Sequence, residues 1–185
     1  KPVTLGHSGD ANRALLQVYW PAPDGTDIMR SRRLNILRSI FSNRLTDVIR
    51  EEESAAYSPS AGRSGSRDYP GYGYMMASLG ITPEKAPDMI KVLDRIAADF
   101  QAGNISDDEF DRSIQPVLEN LDSSLESNGY WMGVIGNAQT DSWDLENFRS
   151  REKAFQNMTL ADIKLLAAQI FKAENAYRVQ VLPEK

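Results

Sequence analysis

The stretch "IMRSRRLNILRSIFSNRLTDVIR", about Ile28 to Arg50, constrains the fold more than any other. Leu34, Leu37, Phe41, Leu45 and Val48 recur at spacings of three and four, which draws one apolar stripe along a long helix. Arg30, Arg32, Arg33, Arg38 and Arg44 fall mostly off that stripe. Such a helix must lay its stripe on another element, and strands flank it on both sides. In "NRALLQVYW", Asn12 to Trp20, Leu16, Val18 and Trp20 alternate with Leu15, Gln17 and Tyr19, the pattern of a strand. "PAPDGTD" then breaks it. After the helix, Ala55 to Ser66 is small, polar and β-compatible. Tyr72 to Leu79, "YGYMMASL", reads as a further strand with Tyr72, Tyr74 and Met76 facing one way. "RDYPG" between the two has turn chemistry, so they read as an antiparallel hairpin.

The rest of the chain is mostly helical. Thr82 is a candidate cap, Pro83 suits a first turn, and Gly103 can close a helix whose buried stripe is Ala86, Met89, Leu93, Ile96 and Phe100. Ser106 and Glu109 form a capping box for a second helix, with Phe110, Ile114, Val117, Leu121 and Leu125 inward and a kink expected at Pro116. Helical stretches follow near 131–139 and 145–156. "TLAD" caps a last helix through Phe171, and "AYRVQVLP" is a closing strand with Tyr177, Val179 and Val181 alternating with Arg178 and Gln180. Parallel βαβ repetition is missing. The order predicts an α+β two-layer sandwich, a mainly antiparallel sheet with helices packed on one face. With 185 residues and no internal repeat or low-complexity linker, residues 1–185 read as one domain.

Composition excludes several functions. Cys is absent, which removes disulfides, thiol nucleophiles and Cys-zinc sites. The net charge of −5 argues against broad nucleic-acid binding. No apolar run is long enough to cross a bilayer. The opening "KPVTLGHSGD" has no signal-peptide core and no Met, as expected of an excised or processed piece. His7 is the single histidine, so no H-E-x-x-H or H-x-x-E-H motif and no metal site is expected here. His7 lies in a polar segment, where a solvated side chain is expected. No G-x-S-x-G elbow supports a Ser-His-Asp triad, and no G-K-[ST] follows "GYGYMMASLG". Glu51, Glu52 and Glu53 form one acid cluster and Asp107, Asp108 and Glu109 another; the second complements a helix dipole. A two-carboxylate glycosidase stays open on that count.

Arg50 and Tyr57 remain. A guanidinium can fork onto a carbonyl, and a phenol can donate to a developing oxyanion. The plain alternative is an Arg complementing the helix dipole and a Tyr packed in the core; spacing alone favours it. However, "RLNILRSIFSNRLTDVIREEESAAYSPSA" resembles the non-catalytic homologous domain of the pitrilysin/insulinase family of zinc metallopeptidases, whose hallmark is a long helix, an acidic turn and a Tyr on a strand. "GDANRALLQVYWPAP" and "QNMTLADIKLLAAQIFKAENAYRVQVLPE" resemble the first and last parts of such a domain. The resemblance implies a domain that binds no cofactor and is inactive alone. It supplies Arg50 and Tyr57 to a peptide substrate beside a zinc held by the N-terminal half of the same enzyme. Family habit and the lack of Cys point to the bacterial periplasm. The alternatives are a structural or assembly module of the same fold with no role in proteolysis, or an unrelated enzyme built on a carboxylate pair.

Overall fold

A computed structural model describes residues 3–51, 59–136 and 138–184. Five strands and six α-helices follow one another along these residues: β1 (Val3–His7), β2 (Ala14–Pro21), α1 (Ile28–Glu51), β3 (Ser60–Gly65), β4 (Gly73–Ile81), α2 (Ala86–Gln101), α3 (Asp107–Ser123), α4 (Asn128–Ile135), α5 (Trp143–Gln156), α6 (Leu160–Ile170) and β5 (Tyr177–Pro183). The strands form one sheet in the order β1-β5-β2-β4-β3. The β5-β2, β2-β4 and β4-β3 pairs are antiparallel, as the sequence predicts. The β1-β5 pair is parallel and was not foreseen.

Alternation settles the sheet's faces. Leu16, Val18 and Trp20 of β2 are buried, as expected, and pair beside Met75, Ala77 and Leu79 of β4. Tyr74 and Met76 do share the other face, but Tyr72 precedes β4 and is exposed. Helices α1, α2 and α6 lie on the buried face, and their apolar residues join one core. α1 is buried more broadly than a single stripe. Ile36, Ile40 and Ile49 are as covered as Leu34, Leu37, Phe41 and Leu45. Arg32, expected off the stripe, is therefore itself buried, because it shares the spacing-of-four row with Ile36 and Ile40. Helices α3 and α5 pack on α1, and α4 packs on α5.

The punctuation is largely as read. Ser106 and Glu109 form the capping box of α3: Glu109 N–H donates to Ser106 Oγ at 3.3 Å, and Ser106 N–H to Glu109 Oε2 at 2.9 Å. Thr159 and Asp162 do the same for α6. Gly103 has φ 75°; its N–H bonds the Phe100 carbonyl and the Asn104 N–H bonds the Asp99 carbonyl, a Schellman ending for α2. Thr82 does not cap through its side chain; a 3₁₀ turn over Pro83–Lys85 leads into α2 instead. α3 remains helical through Pro116, and Leu125 falls in the 3₁₀ turn beyond it, 37% exposed. His7 is not simply solvated. Its Nδ1 accepts from Gly9 N–H at 3.0 Å, so Nε2 carries the proton and donates to the Arg13 carbonyl at 2.8 Å.

Two polar locks fix the layers. Arg44 of α1 forks onto Glu109 at 2.6 and 2.5 Å, and its Nη2 also donates to the Asn104 carbonyl at 2.7 Å. Burial pushes the Glu109 carboxyl up, but the hydrogen bonds from Arg44 and Ser106 outweigh it and the net shift is down. The second lock is Asp24, before α1. Tyr69, Pro70, Gly71 and Tyr72 make a type II turn, closed by Tyr72 N–H on the Tyr69 carbonyl with Gly71 at φ 78°. Asp24 Oδ2 accepts the Gly71 N–H at 2.7 Å, while Oδ1 accepts the Thr26 hydroxyl at 2.6 Å and Arg30 Nη2 at 3.2 Å. The Gly71 hydrogen bond, then those of Thr26, lower this carboxyl from 3.8 to about 2.

Arg44→Met is expected to lower unfolding free energy by about 1–3 kcal/mol in chemical denaturation, because Glu109 keeps its burial and loses its fork. Because the folded Asp24 pKa is depressed, its contribution exists above about 4 and disappears as pH falls toward about 2. The Tm gap between the wild type and Asp24→Asn is thus expected to shrink across that window and to be constant above it.

Candidate functional site

The buried row of α1 ends at Ile49, 3% exposed, and the next residue, Arg50, points out to solvent. The packing of the helix therefore fixes the base of this side chain while leaving its guanidinium open. Arg50 is the basic residue of the last turn, where a cation complements the helix dipole. Its side chain has no hydrogen bond or ion pair to another described residue. Tyr57, Glu52 and Glu53 lie outside the described residues, so the spacing between Arg50 and Tyr57 is a matter of sequence alone.

From Arg50 the chain leads into β3. This strand ends the sheet: β4 pairs with one side of it, and no described strand takes the other. α1 lies across its inner face, where Arg63 Nη1 donates to the Ser31 carbonyl at 3.3 Å. Burial, and then the neighbouring Arg38, lower the Arg63 pKa. Neither Arg38 nor Arg63 has a carboxylate at ion-pair distance among the described residues. The α1–β3 seam thus offers backbone that no described strand pairs, beside cations with no described carboxylate at ion-pair distance, which suits carbonyl or carboxylate groups of an extended chain. Arg63 escaped the sequence reading because its strand, "SAGRSG", has no alternation to orient it.

Among the described residues no group of three or more His, Cys, Asp or Glu could hold a metal ion. Both His7 nitrogens are engaged with backbone. Glu109 is held by Arg44, so the Asp107–Glu109 cluster serves the helix start and the fork. No described helix is long and apolar enough to cross a membrane.

Residues 2–117 match the family described as the peptidase M16 inactive domain. Over 140 residues, 74% of this chain, the sequence is 22% identical to the chloroplastic stromal processing peptidase of Pisum sativum, of which that match covers 11%. Among solved structures, the periplasmic protease PqqL of Escherichia coli superposes with a TM-score of 0.82 and 19% identity, over 99% of this chain and 20% of that one. A peptidase M16 inactive domain from Pseudomonas fluorescens gives a TM-score of 0.76 and 18% identity, over 100% of this chain and 44% of that one. The chain therefore spans less than half of each of these relatives, and at these identities the structures show a shared fold.

Proposed function

The chain belongs to the peptidase M16 inactive-domain family, and from that premise we propose that it is the substrate-binding, zinc-free domain of a larger zinc metalloendopeptidase. The observation that carries the reading is Arg50: an open guanidinium on a rigidly packed helix end, unpaired among the described residues, one connection away from a sheet edge. Arg50 holds a carbonyl of the bound peptide. Tyr57 donates a hydrogen bond to the oxygen that gains charge as the peptide bond is attacked. The β3 edge pairs with the extended substrate, giving backbone recognition with little sequence demand. The zinc is assigned to the N-terminal half of the parent, as the resemblance to the pitrilysin/insulinase family implies; among the described residues no group of three or more His, Cys, Asp or Glu could hold one. The periplasm as its location is supported by the periplasmic Escherichia coli relative and by the lack of Cys.

In the parent enzyme, Arg50→Ala and Tyr57→Phe are each expected to lower kcat/KM by about a hundredfold while bound zinc stays the same. The isolated 185-residue chain is expected to release no peptide product. Wild-type rates in both variants would leave a scaffold or assembly role as the better account.

A further inference from the structure

On the helical side, α1, α3, α4 and α5 enclose a cleft of about 580 Å³. That volume suits a small organic ligand. Two guanidiniums line it. Arg32 is 4% exposed. Its Nη2 donates to the Asn147 carbonyl, to Asn147 Oδ1 at 3.0 Å and to Ser150 Oγ at 3.2 Å, and its Nη1 meets the Met29 sulfur at 3.6 Å. Arg151 donates from Nη1 to the Tyr130 hydroxyl and to Ser124 Oγ at 3.3 Å, and from Nη2 to the Leu121 carbonyl at 2.9 Å. Its guanidinium also lies 5.0 Å from the centre of the Tyr130 ring and 4.7 Å from that of Phe148.

Every one of these acceptors is neutral. No described carboxylate stands at ion-pair distance from Arg32 or Arg151, and Asp144 is the one acid among the residues lining the cleft. Burial lowers the Arg32 pKa, opposed by the through-space field of Glu146. A buried cation whose direct hydrogen-bond partners are all neutral is costly, and an anion brought into contact with it lowers that cost. The cleft also has an apolar side and unfilled room. Tyr130, Phe148 and Phe155 line it, and so do Gly129 and Gly133, one helical turn apart on α4. A Cβ on Gly133 would meet nothing within 4 Å, and one on Gly129 would meet only Ser127 Oγ at 3.7 Å. Two forked donors without an anion, an aromatic wall and a bare floor occur together in one cavity.

We propose that this cleft binds an organic carboxylate with an aromatic or aliphatic body, the chemistry of a peptide's C-terminal residue. The carboxylate rests against Arg32 and Arg151, and the body lies along Tyr130 and Phe148 over the glycine floor. The inference is independent of Arg50 and Tyr57, and its test involves no cleavage, so the two readings fail separately.

The full chain, isotope-labelled, is titrated with N-acetylphenylalanine and with its neutral twin N-acetylphenylalaninamide, and amide shifts are followed by NMR. The acid is expected to move the Gly129, Tyr130 and Gly133 signals and to bind about tenfold or more tighter than the amide. Gly133→Leu builds a side chain onto the floor, where a Cβ meets nothing within 4 Å, and is expected to weaken the acid by about tenfold at an unchanged melting temperature. If that variant melts early, Asn35→Trp on the exposed rim replaces it as the block. Three results overturn the proposal: no shifts at millimolar acid, equal binding of acid and amide, or undiminished binding by the folded blocking variant.

Discussion

Trp20 of β2, Phe41 of α1, Phe100 of α2 and Phe171, just past α6, meet ring to ring with centroids 4.8–5.8 Å apart. All four are fully buried. Tilted and edge-on aromatic pairs contribute about 0.5–1.5 kcal/mol each beyond their buried area. Their larger effect here is geometric. Each ring comes from a different element, so the sheet and three helices share one point of contact. The Arg44 side chain links the cluster to the outer helices. The Arg44 guanidinium lies 4.6 Å from the centre of the Phe100 ring and forks onto Glu109, which caps α3. The core, the placement of α1 and the start of the outer helices are thereby one connected arrangement.

α1 carries both candidate sites. Arg32 lies near its start, on the row that packs inward, and Arg50 lies at its end, where that row runs out. The two positions are separated by about 27 Å along a helix. One rod therefore presents an inward guanidinium to a cleft between helices and an outward one beside a sheet edge. The unrelated-enzyme alternative loses its footing in this setting. Glu109 is occupied by Arg44, and the sheet-and-helix architecture is that of the peptidase M16 inactive domain.

Local periodicity made most of this readable. The alternation around Leu16, Val18 and Trp20 gave β2 its face, and the Ser106–Glu109 and Thr159–Asp162 boxes fixed two helix starts, because each signal lies within a few residues. β1 is not readable, since "VTLGH" is short, mostly exposed, and held by a partner 176 residues away that no local pattern announces. Arg32 was misjudged for a different reason. The spacing of Leu34, Leu37, Phe41 and Leu45 shows one apolar stripe, whereas α1 has two neighbouring buried rows, and Ile36 and Ile40, at steps of four from Arg32, carry the second. The cleft itself arises from side chains on four helices, and its cations are recognisable only when their neutral partners are seen. Arg50 could be found as a helix-end cation, whereas the function assigned to it rests on the family.

The pairing of β1 with β5 has a mechanical consequence. Because the two strands run the same way, chain preceding Val3 departs from one end of the pair and chain following Pro183 from the other. Tension between neighbouring parts of a longer protein would then slide the strands along each other, loading their evenly spaced hydrogen bonds together instead of unzipping them one by one. This edge of the sheet is built as a clamp against opposed pulls on β1 and β5.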